Sequence, residues 1–267
     1  MLNSLRSHWP EYFMEGAELG IFMVLAGIFA TALYAPSSPL PTWLPNEFLR
    51  GALMGIAMGV TAIAIIYSPW GMRSGAHFNP AVTLAFYRLG KLAIWDAIFY
   101  VLAQFVGGAI GVALVVVVLG DPFTNLPVNY VVTVPGIWGW LGALITEALL
   151  AFGLMMTVLI VSNHPGLNQF TGLFAGMLVA LFITFAAPIS GMSINPARTF
   201  ASAFVARVWT AFWIYYFVPP LAMLLAAEVY RWVSGRRSRH ICGKLQPNSE
   251  TPCICTTCPC HEDLLLR

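Results

Sequence analysis

The hydrophobic positions of this 267-residue chain fall into long runs that carry almost no charge. No Lys, Arg, Asp or Glu occurs between Phe22 and Asn46, and none occurs between Glu147 and Arg198. About 20 apolar residues in a helix are enough to cross the hydrocarbon core of a bilayer, which is roughly 30 Å thick. The pattern predicts membrane-spanning helices at residues 11–34, 49–68, 94–119, 137–161, 169–189 and 209–232.

Composition agrees with an integral, multi-pass membrane protein. The chain is 59% hydrophobic and 9% charged, whereas about 25% of residues are charged in a typical soluble domain. A net charge of +2 gives no reason to expect a nucleic-acid partner. An even number of spans puts both termini on one side, and basic residues favour the cytoplasmic side. The termini are predicted to be cytoplasmic because the basic residues on their side (Arg6, Arg88, Lys91, Arg231, Arg236, Arg237, Arg239 and Lys244) outnumber those on the other (Arg50, Arg198 and Arg207).

One short motif occurs twice. Residues 74–81 read Ser-Gly-Ala-His-Phe-Asn-Pro-Ala, and residues 190–197 read Ser-Gly-Met-Ser-Ile-Asn-Pro-Ala. A repeat of this kind in a membrane protein indicates two homologous halves with the functional site between them. We place the repeats at about residues 11–121 and 137–232. With three spans in each half, the second half enters the membrane from the opposite side, so the repeat is inverted.

Each motif predicts the start of a short helix inside the membrane. Proline suits the first helical position, and the preceding asparagine can cap the helix. We therefore predict half helices at residues 79–88 and 195–205, which are too short to span. A helix that begins in mid-membrane is tolerated only inside protein or beside a water-filled cavity. Two such starts, brought together by the inverted repeat, would form a pore in which Asn79 and Asn195 donate hydrogen bonds.

These features resemble the major intrinsic protein family, the aquaporins and aquaglyceroporins, over about residues 10–232. The resemblance rests on residues 74–83 and 190–199, on Glu18 and Glu147, and on Gln104. It implies an all-α membrane protein with six transmembrane helices and two re-entrant half helices in an inverted repeat. It also implies a channel rather than an enzyme, with one pore per subunit, no required cofactor, and a homotetramer in the lipid bilayer.

The resemblance also implies roles for individual residues. The pore centre would be formed by Asn79, Pro80, Ala81, Asn195, Pro196 and Ala197. Arg198, Met192 and Ile183 would form the outer constriction, where water-specific members commonly carry His in place of Ile183. The fourth constriction position falls at Met58, Gly59 or Val60, and we take Gly59. Support of the pore is assigned to His77, Glu18 and Glu147.

Three functions stay open at this point. The first is a passive channel for water, and the second is a channel for other small neutral solutes such as glycerol, urea, hydrogen peroxide, ammonia or a metalloid hydroxide. Ile183 and Met192 favour the second, whereas Thr199 and the aromatic pair Tyr216-Phe217 argue against a glycerol facilitator. The third is a structural or adhesive membrane protein with a tail that responds to metal or redox state.

The C-terminal tail differs from the rest of the chain. We divide the chain into a cytoplasmic N-terminus at residues 1–10, a channel domain at 11–232 and a cysteine-rich tail at 233–267. The tail lacks an apolar core and is predicted to be disordered without a ligand. A soft divalent metal would find thiolate and imidazole ligands there, and the alternative is a tail without specific function. The candidate metal ligands are Cys253, Cys255, Cys258, Cys260 and His261.

Overall fold

The fold is known from a computed structural model, which describes residues 1–235, 243–247 and 251–255. Six of its helices are long and apolar enough to cross a membrane, which confirms the predicted number of spans. They are α1 (Leu2–Tyr34), α3 (Glu47–Tyr67), α6 (Ile94–Leu119), α8 (Gly139–Ser162), α9 (Thr171–Ser190) and α11 (Phe212–Ser234). Shorter helices are α2 (Leu40–Trp43), α4 (Pro69–Ser74), α5 (Pro80–Arg88), α7 (Asp121–Thr124) and α10 (Pro196–Ala206), with 3₁₀ turns at Asn129–Val131 and Asn168–Phe170.

The first helix begins well before the predicted boundary at residue 11. Its polar first turns are fixed to α6 through Asp96, whose carboxylate is 3.0 Å from His8 Nδ1 and accepts a hydrogen bond of 2.5 Å from the Tyr12 hydroxyl. Pro10 lies inside this helix. The apolar pattern detected only the part of α1 that is long enough to span, because the preceding residues are held by polar contacts.

The two half helices are those that the motifs predict. Asn79 and Asn195 are the N-caps of α5 and α10, and a proline follows each as the first helical residue. The helices end at Arg88 and Ala206, one boundary as predicted and the other one residue later.

The two halves of the chain are interleaved. In the first half α1 packs on α6, and in the second half α8 packs on α11, while α3 and α9 pack against each other across the halves. Each half helix contacts the third long helix of the other half, so that α5 lies on α11 and α10 lies on α6. An ion pair of 2.8 Å between Arg88 and Glu228 joins the end of α5 to α11. Each half helix therefore packs on both halves, since α5 also contacts α6 and α10 also contacts α11.

Glycines allow the long helices to approach closely. At the α1–α6 contact, a Cβ on Gly107 would collide with the backbone of Gly16. At the α3–α9 contact, a Cβ on Gly59 would lie 2.6 Å from the carbonyl oxygen of Gly176. Small residues have this use in membrane helices, where close backbone packing replaces the hydrophobic driving force.

We expect Gly107→Ala to destabilise the protein, because the added methyl group has no space against Gly16. Overpacking of this kind costs about 1–3 kcal/mol. Gly153→Ala is the matched control, since a Cβ on this helical glycine meets nothing within 4 Å. Thermal unfolding of the purified protein in detergent should show a lower midpoint for Gly107→Ala alone. Equal midpoints for the two variants would contradict the close contact between α1 and α6.

Candidate functional site: a membrane pore between two half helices

The N-terminal ends of α5 and α10 are held together by their capping asparagines. The Asn79 Oδ1 atom accepts a hydrogen bond of 2.9 Å from the Ala81 amide, and Asn195 Oδ1 accepts bonds of 3.1 Å from the Ala197 and Arg198 amides. The Nδ2 atoms bind across the interface. Asn79 Nδ2 donates to the carbonyl of Ile194, and Asn195 Nδ2 donates to the carbonyl of Phe78, both at 2.8 Å. Since each side-chain amide has two N–H donors, one remains on each asparagine.

The loops before the half helices have an unusual backbone. Ala76 and Phe78 have φ angles of 55° and 30°, and the corresponding residues Met192 and Ile194 have φ angles of 45° and 48°. Positive φ is uncommon for residues other than glycine and needs support from the surroundings.

Two buried carboxylates supply this support. Glu15 accepts hydrogen bonds from the amides of His77 and Phe78 at 2.8 and 2.7 Å. Glu147 accepts the equivalent bonds from Ser193 and Ile194 at 2.9 and 2.6 Å. Both side chains are fully buried. A carboxylate with two acceptor oxygens matches two successive N–H groups, so each glutamate fixes one loop.

A cavity of about 750 Å³ passes between the half helices. Its walls include Asn79, Asn195, Arg198 and His77, together with apolar side chains of α3 and α9. From α3 these include Met54, Met58, Ala62 and Ile66, which recur at the spacing of one helix face. The wall therefore combines a few polar groups around the asparagines with a mostly apolar lining.

Arg198, Met192 and Ile183 all line this cavity. The Arg198 guanidinium donates a hydrogen bond to the Thr133 hydroxyl, which belongs to the segment that connects the two halves. This segment is fixed to the end of α9, because the Gly136 and Ile137 amides donate to the carbonyls of Ile189 and Pro188 at 2.9 and 3.0 Å. Its Val128, Val131 and Val132 contribute to the cavity wall.

His77 lies at the opposite end of the site and is 2% exposed. Its Nε2 atom is 2.9 Å from the carbonyl oxygen of Gly243, and Nδ1 is 3.2 Å from the Thr83 hydroxyl. A carbonyl can only accept, so the proton is on Nε2. The ring stacks on Phe86 with the centroids 4.8 Å apart.

Comparison with known proteins gives the same result as the geometry. The sequence profile described as "Major intrinsic protein" matches residues 14–230. This chain belongs to the major intrinsic protein family. It is 32% identical over 234 residues to the probable aquaporin AqpM of Archaeoglobus fulgidus, covering 79% of this chain and 94% of that protein. It is 30% identical over 216 residues to aquaporin NIP1-2 of Arabidopsis thaliana, covering 79% and 70% of the two chains.

The fold is also that of a solved member of the family. The aquaglyceroporin from Plasmodium falciparum superposes with a TM-score of 0.68 over 85% of this chain and 97% of that one, at 21% sequence identity. As a major intrinsic protein, this chain is an integral multi-pass membrane protein and a passive channel, and it is not an enzyme. The family needs no cofactor for transport and carries water or small solutes.

One support residue differs from the sequence-based expectation. Glu18 was expected to support the first loop, but both loop amides donate their hydrogen bonds to Glu15. Glu18 accepts a hydrogen bond of 2.8 Å from the Ser74 hydroxyl instead, and its second carboxylate oxygen is buried without a hydrogen-bond partner. The two glutamates lie on the same helix face, since they are three residues apart. The sequence analysis treated Glu18 as the equivalent of Glu147 and therefore missed Glu15. A comparison of two short sequences cannot decide between two glutamates that are one helical turn apart.

Two further residues differ from the sequence analysis, which did not name Thr133 and took Gly59 instead of Met58. Thr133 lies in a segment that the pattern predicts only as a connector. Of the three candidates Met58, Gly59 and Val60, it is Met58 that lines the cavity, because Gly59 faces α9 at the close contact with Gly176. The expectation that Gly59 lines the constriction is therefore corrected. The signal was present, since Met54, Met58 and Ala62 are spaced as one helix face.

The proposed metal ligands lie mostly beyond the described part of the chain. Cys258, Cys260 and His261 are outside the described residues, whereas Cys253 and Cys255 are inside them and half-buried. Within residues 1–235, 243–247 and 251–255, no three or more His, Cys, Asp or Glu side chains are grouped closely enough to hold a metal ion.

We expect Glu15→Gln to disturb the site more than Glu18→Gln. A glutamine at position 15 has only one acceptor oxygen, so its NH₂ group must face either the His77 amide or the Phe78 and Gln104 amides, which donate to the other oxygen at 2.7 Å each. Loss of a buried hydrogen bond to a charged group costs about 1.5–3 kcal/mol. Glu18→Gln is the matched control, because Glu18 accepts one bond from Ser74.

The measurement is thermal unfolding combined with water permeability in proteoliposomes. Glu15→Gln should lower both the unfolding midpoint and the permeability, and Glu18→Gln should change them less. The reverse order would mean that Glu18 carries the loop.

Proposed function

We propose that this chain is a channel for water in single file, with some passage of other small neutral solutes and exclusion of ions and protons. The observation that carries the proposal is the pair of asparagines at the ends of two opposed half helices, inside a cavity that is otherwise mainly apolar. The matched relatives from Archaeoglobus fulgidus and Arabidopsis thaliana are both named as aquaporins.

The physical argument begins with the centre of the pore. A helix N-terminus carries roughly half a positive charge, and two of them meet here. Each asparagine retains one amide N–H, which offers a hydrogen bond to the oxygen of a passing water molecule. A water that is held by its oxygen directs both hydrogens away from the centre, and this orientation interrupts proton transfer along the file. Cations meet the repulsion of both helix ends.

Arg198 supplies the second barrier to cations. Its charge is fixed by the hydrogen bond to Thr133, and the neighbouring constriction side chains that we propose, Ile183, Met192 and Met58, cannot replace the hydration shell of an ion. A neutral molecule loses fewer water contacts and can use the guanidinium as a donor.

We expect Arg198→Val to raise the permeability for glycerol and to allow a measurable cation leak, because the variant widens the constriction and removes its charge. Arg207→Val is the control, since Arg207 is exposed and does not line the cavity. Stopped-flow measurements on proteoliposomes would follow water and then glycerol, and a pH-sensitive dye would follow protons. Unchanged solute and ion permeability in Arg198→Val would contradict the proposed constriction.

A neutral-solute channel with little preference for water is the second candidate. The apolar residues Ile183, Met192 and Met58 favour it, since an apolar constriction tolerates the carbon skeleton of a solute. Under this candidate, Met58→Ala should raise glycerol flux several-fold relative to water flux, because the thioether side chain is replaced by a methyl group. A parallel Val60→Ala variant is the control, because Val60 is 58% exposed on the outer side of α3. If wild-type liposomes are impermeable to glycerol and Met58→Ala does not alter this, the water channel stands and the second candidate fails.

The orientation and assembly are also proposals. We propose cytoplasmic termini from the distribution of basic residues, and protease access to a C-terminal tag in sealed cells tests this. We propose a homotetramer, with the channel domain at residues 11–232 as its unit. The outward side chains Val117 and Val118 are 83% and 76% exposed in the single chain, which suits a lipid or subunit contact. Chemical cross-linking in the membrane tests the subunit number.

For the tail we propose binding of a soft divalent metal by Cys253, Cys255, Cys258, Cys260 and His261. The support is the spacing of thiols in the sequence. Titration of the full-length protein with cobalt under reducing conditions should give a thiolate charge-transfer band, and serine at all four cysteines should abolish it. The third candidate, a structural or adhesive membrane protein, would not need a cavity lined by the paired asparagines, and we do not propose it.

A further inference from the structure

We infer that the mouth of the pore on the side of the chain termini is a binding site for the chain's own C-terminal segment, and that the bound segment obstructs the channel. The inference rests on the proposed function, since it concerns flux through the same pore. The segment consists of residues 243–247 and 251–255, and we call this part of the pore the inner mouth.

The segment contacts the loop that carries the first motif. The Leu245 amide donates a hydrogen bond of 3.0 Å to the carbonyl of Gly75. Two residues after Gly75 in the same loop, His77 Nε2 donates a hydrogen bond of 2.9 Å to the carbonyl of Gly243. The segment is thus bound through its backbone to two residues of one loop. The ring nitrogen of His77 that carries the proton is then engaged with the segment.

The side chain of Leu245, whose amide makes the first of these bonds, points into the pore. Leu245 is 5% exposed, and it lines the same cavity as His77, Ile66 and Val158. A leucine has no group that could donate to water or accept from it. At the inner mouth it occupies space where a single file would have to pass.

A second set of contacts fixes the segment. The Lys244 ammonium is buried and donates to the Thr251 hydroxyl at 2.9 Å and to the carbonyl of Pro252 at 3.2 Å. The Thr251 hydroxyl donates in turn to the carbonyl of Met72 at 2.8 Å. Ile254 is buried in the same apolar cluster as Leu245. These contacts hold the segment at both of its described parts.

The fit around Gly243 depends on its missing side chain. A Cβ at this position would lie 2.5 Å from Cys255 Sγ and 3.0 Å from Lys91 Cβ. Any larger residue must displace one of them, so Gly243 offers a way to release the segment without altering the pore wall.

The connection to the rest of the chain favours binding. Residues 236–242 join the segment to the end of α11, so the bound state forms within one molecule. A short tether gives an effective concentration on the order of millimolar, which allows a modest set of contacts to keep the site occupied.

The test measures water permeability of the full-length channel in proteoliposomes. It compares wild type, a chain that ends after Gly235, Gly243→Val, Leu245→Ala and the control Leu2→Ala, whose leucine is 61% exposed. If the bound state outweighs the released state by a factor of about ten, removal of the segment raises permeability about tenfold. Gly243→Val should give a similar rise, Leu245→Ala a smaller one, and Leu2→Ala none.

A second measurement reports binding without using flux. In a background with serine at Cys242, Cys253, Cys258 and Cys260, the remaining Cys255 should react slowly with a maleimide and faster after Gly243→Val. Equal permeability of wild type and the shortened chain would overturn the obstruction, whether or not Cys255 is protected. If no variant conducts, the shortened chain included, the proposed function itself fails, and this outcome differs from equal conduction.

Discussion

The pore depends on one constraint: backbone amides that end inside a membrane must find acceptors within the protein. Two loops reach the middle of the fold, and each exposes successive N–H groups just before its half helix begins. Glu15 and Glu147 accept them with both carboxylate oxygens. Without these acceptors the positive φ angles of Phe78 and Ile194 would not persist, and the asparagines would lose their positions.

The asparagines in turn form a joint between the two halves of the chain. Each one caps its own half helix and binds the loop of the other through Nδ2. Under the proposed function, the polar groups that meet the permeant are therefore the same groups that hold the two repeats together. A substitution at Asn79 or Asn195 would change stability and permeation together, whereas the side chain of Arg198 takes no part in this joint and can be varied separately.

The sequence predicted the parts of the fold that follow from periodicity and from local chemistry. Six apolar runs gave the spans, and Asn-Pro after a polar turn gave the N-caps at Asn79 and Asn195. It failed where a choice depends on which neighbour faces the site. Glu15 and Glu18 share a helix face, and Met58 and Gly59 are adjacent, so only the three-dimensional packing distinguishes them.

Contacts between segments that are far apart in the sequence do not follow from periodicity or local chemistry. Thr133 contacts Arg198 because the connecting segment is bound to the end of α9, and no periodic pattern in the sequence indicates this contact. The same holds for Leu245, which a disordered tail would leave in solvent. Its place at the inner mouth depends on the carbonyl of Gly75 and on the space beside Gly243.

The contact of each half helix with the other repeat has a consequence for biogenesis. During synthesis α5 is made early and can pack on α6, but its larger contact is with α11, which is the last span to be made. The ion pair between Arg88 and Glu228 cannot form before then. A membrane-inserted chain that lacks only its final helix would hold five of its six spans, and the side of the first half helix that packs on α11 would still be uncovered.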